Sequence, residues 1–118
     1  MSGPFHSPMM RPAGEELAKV FARVSMNPLK IPYVANINAE VITDCGRIEG
    51  LLVDQVSGSV RWQQSVEEMI RQGVDTFCRD WTEDGTFIRY FLRKINRDVK
   101  VYQVSTWEDI EKAGKELC

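Results

Sequence analysis

Long apolar runs are missing from this sequence of 118 residues. No stretch approaches the roughly 20 residues that a membrane-spanning helix needs, and the first residues do not place an apolar stretch behind a basic one, as a secretory leader does. The two signs of charge nearly balance, with 15 Lys and Arg against 17 Asp and Glu and a net charge of -2. These absences argue against a membrane or nucleic-acid partner. We therefore expect a cytoplasmic protein.

Cysteine and histidine are also scarce. The three cysteines, Cys45, Cys78 and Cys118, are widely spaced and form no Cys-x-x-Cys pair. Neither a disulfide framework nor a zinc site is indicated by that spacing, although pairing of two cysteines in the folded chain stays open. Nothing in the spacing favours a zinc site built from these cysteines and His6. We expect no metal site.

A serine nucleophile in its usual setting is missing as well. Many α/β hydrolases carry the serine in a Gly-x-Ser-x-Gly elbow, which lifts the hydroxyl above a sheet. None of the seven serines of this chain has that glycine bracket. The 118 residues therefore offer no recognisable serine nucleophile.

His6 is the only histidine, and it stands between Pro4 and Pro8 just ahead of a predicted helix. An imidazole can take and return a proton near neutral pH, which is what activating a weak hydroxyl nucleophile requires. Position alone favours a plainer interpretation, an exposed histidine near a frayed end of the chain. Both interpretations stay open at this point.

Helical and alternating apolar patterns follow one another along the chain. The patterns predict helices over residues 8–24, from Thr43 or Asp44 to about Gly58, over 60–72 and 86–94, and from Ser105 or Thr106 to Leu117. They predict strands over residues 31–37, 40–43, 74–78 and 99–104. Strands separated by helices are typical of an α/β fold. We expect three layers, with a mostly parallel sheet of about three to four strands and helices on both faces.

The length suits a single domain over residues 1–118, since domains most often hold about 100 to 150 residues. Trp62 and Trp107 lie among apolar residues on predicted helical faces. We expect both side chains in the core, because a tryptophan in that setting usually buries its large apolar surface.

Four blocks of sequence occur in the order known from one enzyme family. They are residues 5–13 (FHSPMMRPA), 31–37 (IPYVANI), 51–56 (LLVDQV) with 60–62 and 65–66, and 91–95 (FLRKI) with 99–104 (VKVYQV). Together they cover most of the chain. The sequence resembles the second half of malonyl-CoA:acyl carrier protein transacylase and related acyltransferase domains.

The resemblance implies a transferase that moves malonyl from coenzyme A to the phosphopantetheine thiol of an acyl carrier protein, through an acyl-serine intermediate. It places His6 on the catalytic histidine of the family. Gln55 falls on a glutamine whose main-chain carbonyl orients that histidine. Asn36 matches an asparagine close to the active site, which we expect to be structural. Malonyl-CoA and acyl carrier protein are the implied partners, and no cofactor is implied.

A basic segment raises a further partner question. Arg89, Arg93 and Lys94 lie near the end of one predicted helix. Acyl carrier proteins are acidic, so complementary charge could steer one toward this segment. The alternative is a solvated helix face, where cations near the last carbonyls are favoured in any case.

The sequence also departs from the family. The serine elbow, and the arginine that pairs with the malonyl carboxylate, lie upstream of the matching region. The family usually follows the strand that ends near Phe77 with Glu-(Ile/Val)-Gly-Pro-Gly-Lys, whereas residues 78–86 read CRDWTEDGT.

Two interpretations follow from these matches and departures. In the first, the chain is a portion of a transacylase that carries the catalytic histidine, is inactive alone and needs a separate serine-bearing half. In the second, it is an engineered or recombined α/β module on the same scaffold that catalyses no reaction.

Overall fold

A computed structural model of the chain describes the backbone of residues 3–80 and 86–117, with the side chains of 79, 80 and 86–89 excluded. The helices are α1 (Arg11–Phe21), α2 (Ile48–Ser57), α3 (Trp62–Arg71), α4 (Thr86–Ile95) and α5 (Trp107–Leu117). The strands are β1 (Tyr33–Ala35), β2 (Glu40–Ile42), β3 (Thr76–Asp80) and β4 (Lys100–Val104). Short 3-10 helices, Pro8–Met10 and Cys45–Arg47, precede α1 and α2. The chain divides into two compact units, Met1–Glu68 and Met69–Cys118, and each is described by itself.

In the first unit, α1 packs against α2 through a glycine. Gly14 is the buried residue of α1, and a Cβ there would lie 3.2 Å from the main-chain oxygen of Val53. The missing side chain lets the backbones of the two helices approach closely. The 3-10 helix Pro8–Met10 also contacts α2. The chain just before α1 is thereby held beside α2.

The apolar core of the first unit lies where the β1–β2 pair meets α2. The two strands pair antiparallel, with Tyr33 opposite Ile42 and Ala35 opposite Glu40. Ala35, Ile42 and Ile48 form the buried cluster. The Asp44 side chain caps the following 3-10 helix by accepting a hydrogen bond from the Gly46 N–H at 2.9 Å. An aspartate at this position satisfies a backbone donor that would otherwise lack a partner.

The second unit contains a strand–helix–strand arrangement. β3 and β4 pair in parallel, from Thr76 opposite Lys100 to Asp80 opposite Val104. A parallel pair cannot be joined by a tight hairpin, and here α4 lies in the connection. α5 packs against β4 and buries Ala113.

The mixed helix and strand content of the prediction is confirmed, although several element bounds differ. α1 ends at Phe21 rather than at residue 24, and its first predicted turn is a 3-10 helix. The third predicted strand lies at Thr76–Asp80 rather than at 74–78. It therefore extends into the stretch that departs from the family pattern, while residues 81–85 of that stretch lie outside the described residues.

The prediction for Trp107 was wrong, because its side chain is 72% exposed. Ala113 is the buried residue of α5, and residues 107 and 113 lie on different faces of a helix with 3.6 residues per turn. The Trp107 indole N–H donates to Glu111 Oε1 at 3.1 Å.

The described strands form two separate two-stranded sheets, of which one is antiparallel and one is parallel. The three-layer arrangement around a single, mostly parallel sheet therefore stays a prediction. Across residues 3–80 and 86–117, no helix is both long enough and apolar enough to cross a membrane.

Candidate active site

His6 lies in a tight turn ahead of α1. Its φ of 57° places it in the left-handed region, which only a few per cent of non-glycine residues occupy. Ser7 Oγ closes the turn by donating to the Pro4 carbonyl oxygen at 2.6 Å. Ser7 itself is extended, with φ −130° and ψ 160°, as a residue before a proline prefers. The backbone of this turn therefore sets the direction of the imidazole.

The imidazole of His6 contacts the end of α2. Its Nδ1 lies 2.9 Å from the main-chain oxygen of Gln55, which is 49 residues away in sequence. A carbonyl oxygen can only accept a hydrogen bond, so Nδ1 carries the hydrogen when this bond is formed. In the neutral ring, Nε2 then keeps its lone pair and can accept a proton. This is the tautomer that a base acting through Nε2 requires.

His6 is exposed, whereas Gln55 is partly buried. The side-chain Nε2 of Gln55 donates to the Gly58 carbonyl oxygen at 3.0 Å. Sequence reasoning assigned a role only to the Gln55 main chain and treated Gly58 only as the end of a helix. The Ser57-Gly58-Ser59 sequence indicates a turn at the end of the helix. It does not indicate that the Gln55 side chain binds that turn.

Asn36 follows β1, and its main-chain oxygen accepts a hydrogen bond from the Arg61 N–H at 2.8 Å. Asn36 and Gln55 both line a cavity of about 180 Å³ in the first unit. The other residues that line it come from β1, the segment just after it, and α2, and they are mostly apolar: Tyr33, Val34, Ala35, Ile37, Leu51 and Leu52. The structure thus brings Asn36 and Gln55 to one cavity, and Gln55 to His6.

The predicted docking residues belong to the second unit. Arg93 and Lys94 are exposed on α4, and with Tyr90 and Arg97 they line a cavity of about 470 Å³. The Arg89 side chain lies outside the described residues. A role of these cations in carrier-protein docking stays a prediction.

Metal ligands are not clustered in the part of the chain that the structure describes. No three His, Cys, Asp or Glu side chains come together there in a way that could hold an ion. Cys45 and Cys78 are free thiols, and Cys118 lies outside the described residues.

The comparisons with known proteins agree on one enzyme. No protein-family model matches the chain. The malonyl CoA-acyl carrier protein transacylase of Bacillus subtilis (strain 168) is 34% identical over 117 residues, which are 99% of this chain and 36% of that protein. The crystal structure of the Clostridium perfringens transacylase covers 99% of this chain at 33% identity, with a TM-score of 0.84. The acyl-carrier-protein-S-malonyltransferase of Bartonella henselae covers 99% at 35% identity, with a TM-score of 0.87.

The homologues of this chain are thus malonyl CoA-acyl carrier protein transacylases, and the chain matches a C-terminal portion of them. It spans only about a third of their length, 36% of the Bacillus subtilis protein and 37% of the Bartonella henselae chain.

Proposed function

We propose that this chain, which matches a C-terminal portion of malonyl CoA-acyl carrier protein transacylases, supplies the proton-transferring segment of such an enzyme. The observation that carries the proposal is the 2.9 Å contact between His6 Nδ1 and the Gln55 main-chain oxygen. That contact fixes the imidazole with Nε2 as the basic nitrogen. His6 is the catalytic residue of the proposal, and Gln55 orients it.

In the proposed reaction, His6 Nε2 takes the proton of a serine hydroxyl that residues outside this sequence provide. The serine oxygen attacks the malonyl thioester carbonyl, the carbon–sulfur bond breaks, and the coenzyme A thiolate leaves with the proton that His6 returns. In the second half, Nε2 takes the proton of the phosphopantetheine thiol of an acyl carrier protein. The sulfur attacks the carbonyl of the acyl-serine, the ester carbon–oxygen bond breaks, and the serine oxygen leaves with the proton that His6 returns. The Gln55 carbonyl accepts from Nδ1–H throughout and stabilises the imidazolium.

The remaining parts of the proposal follow from the homologues. Malonyl-CoA and acyl carrier protein are the substrates, in fatty acid synthesis in the cytoplasm. Arg89, Arg93 and Lys94 are proposed to attract the acidic carrier. Asn36 has a structural role beside Gln55. Residues 1–118 are proposed to form one α/β domain, which contributes to a three-layer, mostly parallel sheet of the longer enzyme.

A second candidate is a recombined or engineered α/β module that catalyses no reaction. Residues 78–86 favour it, because they replace the glycine turn that the family places beside the active site, and β3 runs through the first three of them. On this view the contact between His6 and Gln55 is a remnant of the scaffold.

A chimera separates the two candidates. The segment of the Bacillus subtilis transacylase that matches this chain is replaced by residues 1–118, and malonyl transfer from malonyl-CoA to acyl carrier protein is measured. We expect an active chimera, in which His6→Ala lowers kcat/KM by at least about 10²-fold, because a positioned general base typically contributes that much. Lys30→Ala, at an exposed loop position, is the matched control and should leave the rate unchanged. A folded chimera without transfer activity would favour the non-catalytic module.

A further inference from the structure

The side chain of Gln55 is not explained by the proposed reaction. His6 contacts only the main-chain oxygen of residue 55, and any amino acid would supply that oxygen. Gln55 is nevertheless partly buried, and its amide makes contacts of its own. The question is what a glutamine adds at this position.

The Gln55 carbonyl has no partner within α2, because the helix ends beside it. In a continuing helix, the carbonyl of residue 55 would accept from the N–H of residue 59. α2 ends before that bond forms, since the last such bond runs from the Gly58 N–H to the Asp54 oxygen at 2.8 Å. Gly58 is extended, with φ −93° and ψ 152°, so the chain leaves the helix there. The Gln55 oxygen is one of the terminal helix carbonyls that need an external donor, and His6 supplies it.

The Gln55 side chain binds the segment that follows α2. Gln55 Nε2 donates to the Gly58 oxygen at 3.0 Å and lies 3.5 Å from the Ser59 oxygen. The Gln55 side chain therefore holds the segment whose departure frees its own carbonyl. Gly58 is required for space, because a Cβ there would collide with Ile37 Cδ1 and lie 2.9 Å from the Asp54 oxygen.

A glutamine at position 55 has a cost in stability that an apolar side chain would not have. Its Oε1 is buried, and no partner for it occurs among the described residues. A buried polar atom without a partner is destabilising, whereas an apolar side chain of the same length would leave none. What the amide adds over an apolar side chain is the set of contacts that its Nε2 makes with the Gly58 and Ser59 oxygens.

We infer that Gln55 is a positioning residue whose side-chain amide fixes the exit from α2, so that its own carbonyl holds His6 in the tautomer with Nε2 free. The inference rests on the proposed function for its significance, but the contact can be tested without turnover.

The test is nitrogen NMR of the full chain at a pH where the imidazole is neutral. His6 is the only histidine, so the spectrum contains a single imidazole. We expect the Nδ1–H tautomer to be the major form in the unsubstituted chain and to cease being the major form in Gln55→Met, which keeps the length and loses the amide. Gln63→Met is the matched control. Gln63 is exposed on α3 and donates to Glu67 at 2.9 Å, so this variant should keep the original tautomer.

Two spectra would overturn the inference: an unsubstituted chain without the Nδ1–H tautomer as its major form, or a folded Gln55→Met variant that retains it. Should Gln55→Met unfold by circular dichroism, Gln55→Asn gives the same comparison, because its amide is one methylene too short to reach Gly58. Unfolding of both variants would also overturn the inference, since it would assign the side chain a purely structural role.

The chimera adds an independent readout. There, Gln55→Met should lower kcat and leave the KM for malonyl-CoA unchanged, because the base is mispositioned while the substrate contacts are not. An inactive chimera combined with the expected tautomer change would reject the proposed function and leave the positioning role of Gln55 intact.

Discussion

At the residue scale, the partner of His6 is a neutral oxygen rather than a carboxylate. The Gln55 carbonyl fixes the tautomer of the ring, as the aspartate of a Ser-His-Asp triad does, but it brings no negative charge. A hydrogen bond to an ionised acceptor is roughly twice as strong as one between neutral groups. The contact with Gln55 therefore orients the imidazole without adding a charge beside it.

Substitutions at two glycines of the first unit should have opposite effects on the free energy of unfolding. Gly50 lies within α2, and a Cβ there would meet no atom within 4 Å. Gly50→Ala should raise the free energy of unfolding by about 0.5–1 kcal/mol, because a mid-helix glycine loses more backbone entropy than alanine does. Urea unfolding measures this change, and a decrease would show that α2 is not helical at residue 50.

Gly14→Leu should act in the other direction. The Cβ at 14 already falls 3.2 Å from the Val53 main-chain oxygen, so a larger side chain must push α1 away from α2. Overpacking of this kind costs about 1–3 kcal/mol. The same urea titration tests it, and unchanged stability would contradict the close approach of the two helices.

At the element scale, the start of α5 shows how side chains define a helix end. Thr106 Oγ1 accepts from the Asp109 N–H at 3.2 Å, and Asp109 Oδ2 accepts from the N–H groups of Ser105 and Thr106, each at 3.0 Å. This reciprocal arrangement is a capping box with aspartate in place of glutamate. The hydrogen bond from the Ser105 backbone, followed by those from Thr106, lowers the pKa of the Asp109 carboxyl.

This cap predicts an acid-dependent stability. Folding lowers the pKa of Asp109, so its ionised carboxylate stabilises the folded state. This stabilisation is fully present above the ordinary carboxyl pKa and is lost as the pH falls through the lowered pKa of the folded state. Asp109→Asn should therefore remove part of the decline in the urea midpoint below about pH 4. Glu108→Gln, in the same first turn of α5, is the control and should leave the decline in place. Identical acid profiles for both variants would contradict the cap.

Elements were predictable from sequence where a local signal fixes them. The helix starts were predicted at Thr43 or Asp44 and at Ser105 or Thr106. Asp44 and Thr106 are the residues that accept the capping backbone hydrogen bonds. The end of β3 was missed because pairing with β4 defines it, with Asp80 opposite Val104. A strand ladder uses backbone groups, so charged residues such as Asp80 can extend it without an apolar pattern.

At the scale of the whole molecule, large apolar side chains remain exposed in both units. Phe5, Met9 and Ile31 are 63%, 75% and 78% exposed in the first unit, and Trp107 is 72% exposed in the second. The chain also spans only 36% of the length of its Bacillus subtilis relative. Exposed apolar surface of this kind marks an interaction site or a liability to aggregate.

The candidate site was only partly predictable at this scale. The resemblance to the transacylase family predicted that His6 and Gln55 act together. The apolar periodicity of the sequence could not predict this, because the two residues lie 49 positions apart. The apolar pattern of α5 predicted a buried Trp107, whereas Ala113 is the buried residue of that helix. The burial of a side chain depends on the packing of distant segments, which no local pattern contains.

Covalent labelling tests the central claim, that this chain provides the proton-transferring histidine and not the nucleophile. The 118-residue chain is mixed with the remainder of the Bacillus subtilis transacylase and incubated with radiolabelled malonyl-CoA. We predict label on the serine-bearing polypeptide alone, with a rate that falls by at least about 10²-fold when the chain carries His6→Ala. Label on the 118-residue chain itself, or equal labelling with and without His6, would contradict the account.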